Sequence, residues 1–108
     1  MISLFNAVSL QMVSSDCAEF AWHGRRISHE EAAQFARDGV VSFIGHEDTA
    51  RVLSGILGVD VPFRRAFGTL TPGKPVLVAQ VTGGRLPEGA TTLPEGVSLQ
   101  FWVVTSAE

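Results

Sequence analysis

The chain has one cysteine, one lysine and no long apolar run, and each scarcity removes a class of protein. A lone Cys17 can neither close a disulfide within the chain nor supply a paired-thiolate metal site. It stands in the run CAEFAW, where a free cysteine reads as a small sheet or core residue rather than a nucleophile. The apolar residues are scattered, and no stretch approaches the roughly 18 residues that a membrane span needs. MISLFNAVSLQM at the start is apolar but carries neither the basic region nor the small-residue cleavage site of a secretory signal, which predicts a soluble, cytoplasmic protein. Excess positive charge is missing too. A formal net charge of −3 argues against a nonspecific nucleic-acid binder, so neither DNA nor a membrane is an expected partner. Apart from Lys74 the cations are arginines, which suit bidentate contacts to a small phosphate ligand.

Several catalytic signatures are absent as well. There is no P-loop, no GxGxxG, no HExxH and no Cys/His set at zinc spacing. The only acids close to His46 in sequence are Glu47 and Asp48, so a two-metal nuclease would need carboxylates from elsewhere. A metal-independent chemistry without a cofactor is the expectation.

What is present is enough for one domain. The 108 residues, 45% of them hydrophobic, can bury one core but not two. ISLFNA alternates as a short strand, and VSLQMVSSD reads as a loop or helical turn. CAEFAWHG is a second expected strand, ending at Gly24. SHEE then places Ser28 at an N-cap with Glu31 three residues on, a capping box, with Ala32, Ala33, Phe35 and Ala36 as the packing face. Gly39 supplies a left-handed stop. VVSFI is extended, and from His46 onward Ala50, Leu53, Ile56 and Leu57 recur at helical spacing as far as Gly58. PFRRAFGTL and PVLVAQVT are expected to pair antiparallel about the turn TPGK. GGRLPEGATTLPEG is irregular, and SLQFWVVTS closes the chain as a strand. Strands interspersed with two helices predict a single α/β or α+β domain with a mixed sheet flanked by helices.

Three constellations could carry chemistry. His23, at a strand end, and His29, in the first turn of a capped helix, read as solvated structural residues. His46 differs, because a helix N-terminus presents free N–H groups and a positive dipole end to an anion. A histidine there could protonate a leaving oxygen of a bound phosphodiester, or it could be a plain cap. RLPEG puts Arg85 and Glu88 three residues apart on a proline-containing loop. They could form a weak surface ion pair, or Arg85 could hold phosphate charge while Glu88 orients a hydroxyl or a charged imidazole. Arg64 and Arg65 would face opposite sides of an extended strand, so that one could reach a ligand while the other is solvated.

Taken in order, LFNAVSLQM, SFIGHEDTARVLSGILG and LVAQV followed by RLPEG resemble the viral type III anti-CRISPR ring nucleases and their host-encoded relatives. The resemblance runs from about Leu4 to Gly89, and the combination of GHxxTA with RLPEG is its specific part. It implies a symmetric homodimer, each subunit a mixed sheet with helices, that binds cyclic tetra-adenylate (cA4) between its protomers and destroys it without a metal. A two-fold interface suits a ligand with internal rotational symmetry. The resemblance further implies attack by a substrate 2′-hydroxyl and linear di-adenylates ending in a 2′,3′-cyclic phosphate, which switches off type III CRISPR signalling. On this likeness His46 falls on the general acid, Glu88 on the glutamate that supports the imidazole or the site, and Arg85 on the arginine at the scissile phosphate. Arg65 falls on a second ligand-binding arginine, and Asn6, Ser9, Gln11, Thr49 and Gln80 fall on positions that shape the pocket.

Three features depart from the family pattern. Asp48 stands where Ser is common and adds negative charge near an anionic ligand, Gln11 replaces a shorter Asn, and ATTLPEGVS is too short and too rich in Pro and Gly for the helix that often follows RLPEG. Two other readings stay open: a module that sequesters a cyclic oligonucleotide without cutting it, and a small dimeric interaction protein whose histidine is structural.

Overall fold

The structure, a computed structural model, describes residues 1–14 and 16–107. Its elements run β1 (Ile2–Phe5), a 3-10 turn at Leu10–Met12, β2 (Ala21–Ile27), α1 (His29–Phe35), β3 (Val40–Ser42), α2 (Glu47–Leu57), β4 (Val76–Thr82) and β5 (Ser98–Ala107). The strands form one mixed sheet in the order β2-β5-β4-β1-β3. Strand β1 is parallel to both β3 and β4, whereas β5 is antiparallel to β4 and β2. The architecture is α+β in a single domain. Among the described residues no helix is long and apolar enough to cross a membrane.

Strand alternation splits the core between the two faces of the sheet. On one face Leu4, Leu77, Ala79, Leu99, Phe101 and Val103 meet the apolar sides of α1 and α2, with Leu53 and Ile44 fully buried among them. Each fully buried side chain of this size contributes roughly 1.5–3 kcal/mol of transfer free energy. On the other face Phe5, Val76, Val78 and Val104 are covered by Leu70, Met12 and Phe43. Leu70 comes from the segment expected to be a strand and Met12 from the 3-10 turn, and Phe43 is the residue after β3. PFRRAFGTL does not pair with β4, because both edges of β4 are occupied, by β1 and β5. It crosses the sheet instead as an extended strap, joined by Arg64 N–H to the Ile44 carbonyl (2.9 Å) and by Leu70 N–H to the Met12 carbonyl (2.8 Å).

Local signals place the start of α1 as expected. Ser28 caps it by accepting from Glu31 N–H at 3.1 Å, but the helix ends at Phe35 with Ala36 as its cap, so Gly39 (φ +96°) is not the stop; it closes the turn that follows, its N–H donating to the Ala36 carbonyl. The Glu31 carboxylate does not return to the cap but meets Arg25 of β2 at 3.2 Å, so half of the capping box forms. Phe35 also differs from expectation: it is exposed, while Ala32 and Ala36 are buried. His29 is not simply solvated, since its Nε2 lies 3.1 Å from the Leu99 carbonyl and its ring meets Phe101 edge-on at 5.1 Å, docking α1 onto β5. Strand β2 starts later and runs further than its sequence suggests. Cys17 precedes it, with its thiol donating to the Glu19 carbonyl, and Gly24 does not end it. Gly24 pairs with Val104, and the Trp102 ring lies at ordinary contact distance from where a Cβ would stand, so pairing continues to Ile27 opposite Phe101.

Candidate functional site

Three strands leave the sheet in the same direction, and the candidate site lies where they end. Because β1, β3 and β4 are mutually parallel, Asn6, Gly45–His46 and Gln80–Arg85 emerge at one edge. A crevice outside the carboxyl ends of parallel strands is where open α/β sheets hold ligands. Here the crevice consists of two adjoining hollows of about 430 and 570 Å³, which Asn6 and His46 both border. Each is within the usual range for small-molecule sites.

His46 owes its position to the start of α2. Its backbone is extended (φ −127°, ψ 125°) and its carbonyl accepts from Ala50 N–H at 3.0 Å, which makes it the N-cap residue. Its side chain makes no capping hydrogen bond, so the imidazole is not consumed by the helix and remains exposed between the hollows. The helix behind it is fixed by burial of Thr49, Ala50, Val52, Leu53 and Leu57. Free N–H groups of its first turn and its positive dipole end favour an anion at this point.

The first hollow is bordered by the expected residues Asn6, Ser9, Gln11 and Arg65 together with an aromatic wall that the sequence did not single out. Phe5 and Phe43 stack at 4.7 Å with ring planes 6° apart, and the Arg64 guanidinium lies 5.0 Å above the Phe43 ring. Phe67 stands at the rim with 90% of its surface exposed. Arg65 Nε donates to the Gly45 carbonyl at 3.1 Å, tying the strap to the residue before His46. Since the strap is not a paired strand, Arg64 and Arg65 do not divide between ligand and solvent; both border this hollow.

The second hollow is polar. Thr49, Gln80 and Arg85 border it, with Asp48 and Leu86. Eight of the nine residues singled out from the sequence therefore meet around the crevice, and Glu88 does not: it is exposed on its loop and borders neither hollow. Among the described residues Arg85 and Glu88 form no ion pair. Nor do three His, Cys, Asp or Glu side chains gather anywhere among the described residues in a group that could hold a metal.

Asp48 behaves differently from the bare negative charge expected of it. Its Oδ1 accepts from Arg51 Nη1 and from Gly89 N–H, each at 3.1 Å, and the same Arg51 nitrogen donates to the Ala90 carbonyl at 3.3 Å. The RLPEG loop is thereby fastened to the first turns of α2. An Asp–Arg pair at i,i+3 is readable on a helix, whereas the contact to Gly89 bridges 41 positions and has no local signal.

Fold and crevice together define a class: a small α+β domain that offers an anion-friendly, ligand-sized cleft at the carboxyl edge of a mixed sheet. The chain belongs to the STIV B116-like family, whose model matches residues 2–98. Among solved structures it is similar to B116 of Sulfolobus turreted icosahedral virus (STIV), with a TM-score of 0.72 over 96% of this chain and 97% of that one, at 18% sequence identity. At that identity the likeness shows the viral B116 fold. No curated protein matches the sequence.

Proposed function

We propose that the protein is a metal-independent ring nuclease that opens cyclic tetra-adenylate. The observation that carries this reading is the placement of His46: an imidazole not used for capping, at an open helix N-terminus, between a hollow that holds Arg65 and one that holds Arg85. The aromatic wall of the first hollow suits a nucleobase face, and the polar second hollow suits ribose and phosphate. In the reaction a substrate 2′-hydroxyl gives up its proton to solvent water as its oxygen bonds to phosphorus and the bond to the 5′-oxygen breaks. His46 gives its proton to the departing 5′-oxygen, and Arg85 balances the charge on the phosphoryl oxygens. One such step opens the ring, and a second at the opposed phosphodiester gives two linear di-adenylates, each ending in a 2′,3′-cyclic phosphate. The proposal includes a homodimer with the ring held between two crevices, in keeping with the exposure of Arg65, Gln80 and Arg85 on the single chain.

Incubating the purified protein with cA4 in excess EDTA and resolving the products tests the reading; a ring left intact sinks it. His46→Ala should slow single-turnover cleavage by about 10²–10⁴-fold, the usual contribution of a general acid. A sequestering module is the second reading, favoured by one observation: neither Glu88 nor Asp48 is free beside the imidazole, the first lying outside both hollows and the second engaged with Arg51 and Gly89. Tight binding of cA4 with no product would establish it.

A further inference from the structure

The RLPEG loop carries Arg85 on a backbone that by itself would hold it poorly. Strand β4 ends at Thr82, and Gly83 and Gly84 follow at φ +87° and +153°, conformations that glycine alone adopts freely. An arginine directly after two such residues needs a second anchor if it is to stay over the crevice. Four residues beyond Arg85 the chain makes a turn in which Ala90 N–H donates to the Pro87 carbonyl at 3.1 Å, with Gly89 at φ +79°. That turn is held by two groups from α2. Asp48 accepts from Gly89 N–H at 3.1 Å, and Arg51 donates to the Ala90 carbonyl at 3.3 Å.

We infer that Asp48 and Arg51 form a latch that fixes the 83–90 loop to α2 and so positions Arg85 over the His46 crevice. An exposed Asp–Arg pair alone would carry little. This one is more than a pair, because a single carboxylate oxygen accepts both a guanidinium and a backbone N–H, and hydrogen bonds to ionised groups are the stronger kind. The carboxylate is also only 29% exposed and sits in the first turn of α2, where the helix dipole favours it. Asp48 and Arg51 act as positioning residues; their role in cleavage rests on the ring-nuclease reading, whereas their hold on the loop does not.

The test compares Asp48→Ala, which removes the acceptor, with Asp48→Asn, which keeps an acceptor oxygen and removes the charge. Amide hydrogen exchange at Gly89, followed by NMR, should quicken about tenfold in Asp48→Ala, the scale of one hydrogen bond to a charged group, and by a smaller factor in Asp48→Asn, which keeps a neutral acceptor. Single-turnover cleavage of cA4 should fall about tenfold in Asp48→Ala while KM changes little, and Asp48→Asn should recover most of the rate. Arg51→Ala provides a second variant that loosens the same turn from its Ala90 side. Unchanged Gly89 exchange in both alanine variants overturns the latch. Faster exchange with an unchanged single-turnover rate overturns the positioning role, and so does a rate that rises in both Asp48 variants, since that would make Asp48 a repulsive charge only. A wild-type protein that leaves cA4 intact overturns the ring-nuclease reading, and the latch is then decided by Gly89 exchange alone.

Discussion

Replacing Gly68 by alanine should destabilise the protein and disturb the first hollow through a single methyl group. A Cβ at Gly68 would lie 2.5 and 2.6 Å from two atoms of the Phe5 ring and 3.1 Å from the Phe43 ring. The Phe5 ring cannot retreat, because it is 2% exposed and stacked on Phe43 at 4.7 Å. The strap must lift instead, and overpacking of this kind costs about 1–3 kcal/mol. Gly68 does not have a positive φ, so alanine carries no backbone penalty there and recovers about 0.4–1 kcal/mol by restricting the unfolded chain. The balance is a loss of about 1–2 kcal/mol. At about 4–8 °C per kcal/mol for a domain near this size, Tm should fall by roughly 5–15 °C. Because Arg64 and Arg65 ride on the same strap, affinity for cA4 should weaken in the variant even at temperatures where it is fully folded. Thermal denaturation by circular dichroism and equilibrium binding check the two halves. An unchanged or raised Tm would refute the packing argument, and a lowered Tm with unaltered binding would show that the strap moves without carrying its arginines.

Two further substitutions probe the elements behind the crevice. Leu53→Ala empties a fully buried position between α2 and the sheet and should cost about 2–5 kcal/mol in denaturant unfolding; a loss below about 1 kcal/mol would mean that α2 does not pack as described. Ser28→Ala removes the acceptor for Glu31 N–H and should cost about 0.5–2 kcal/mol, with cA4 cleavage unchanged once the protein is folded, since α1 does not border the crevice.

The parts of the fold that were legible in sequence are those decided within one helical turn or one strand. Ser28 and Glu31 are three residues apart, Gly58 stops α2 directly after Leu57, and the alternation of SLQFWVVTS is complete in itself. The path of the strap has a non-local cause. PFRRAFGTL reads as a strand from its two phenylalanines and Thr69, yet only Leu70 of it is buried, in the cluster with Phe5, Val76 and Val78, while Phe63 and Phe67 stay exposed. Whether it pairs depends on whether an edge of β4 is free, and β1 and β5, more than 70 positions apart in the chain, take both. Gly24 gives the same lesson on a smaller scale, since a glycine that reads as a strand end continues the strand once Trp102 lies beside it.

The site divides along the same line. Asn6 and His46 follow β1 and β3, and Gln80 lies near the end of β4, but that these ends share one edge follows only from the parallel pairing of the three strands, which the sequence does not show. From sequence Asp48 is either a first-turn residue that suits the helix dipole or a negative charge beside an anionic ligand, and neither reading contains its contact to the loop. The geometry of its two hydrogen bonds decides its role: the carboxylate that would repel an anionic ligand from a free position is instead turned into the turn at Gly89 and neutralised by Arg51. The crevice thus keeps Arg65 and Arg85 as cations not committed to an acid among the ion pairs of the described residues, while its nearest carboxylate is committed to the loop. An anion entering between the hollows meets a helix N-terminus and arginines, and the negative charge beside them is already occupied.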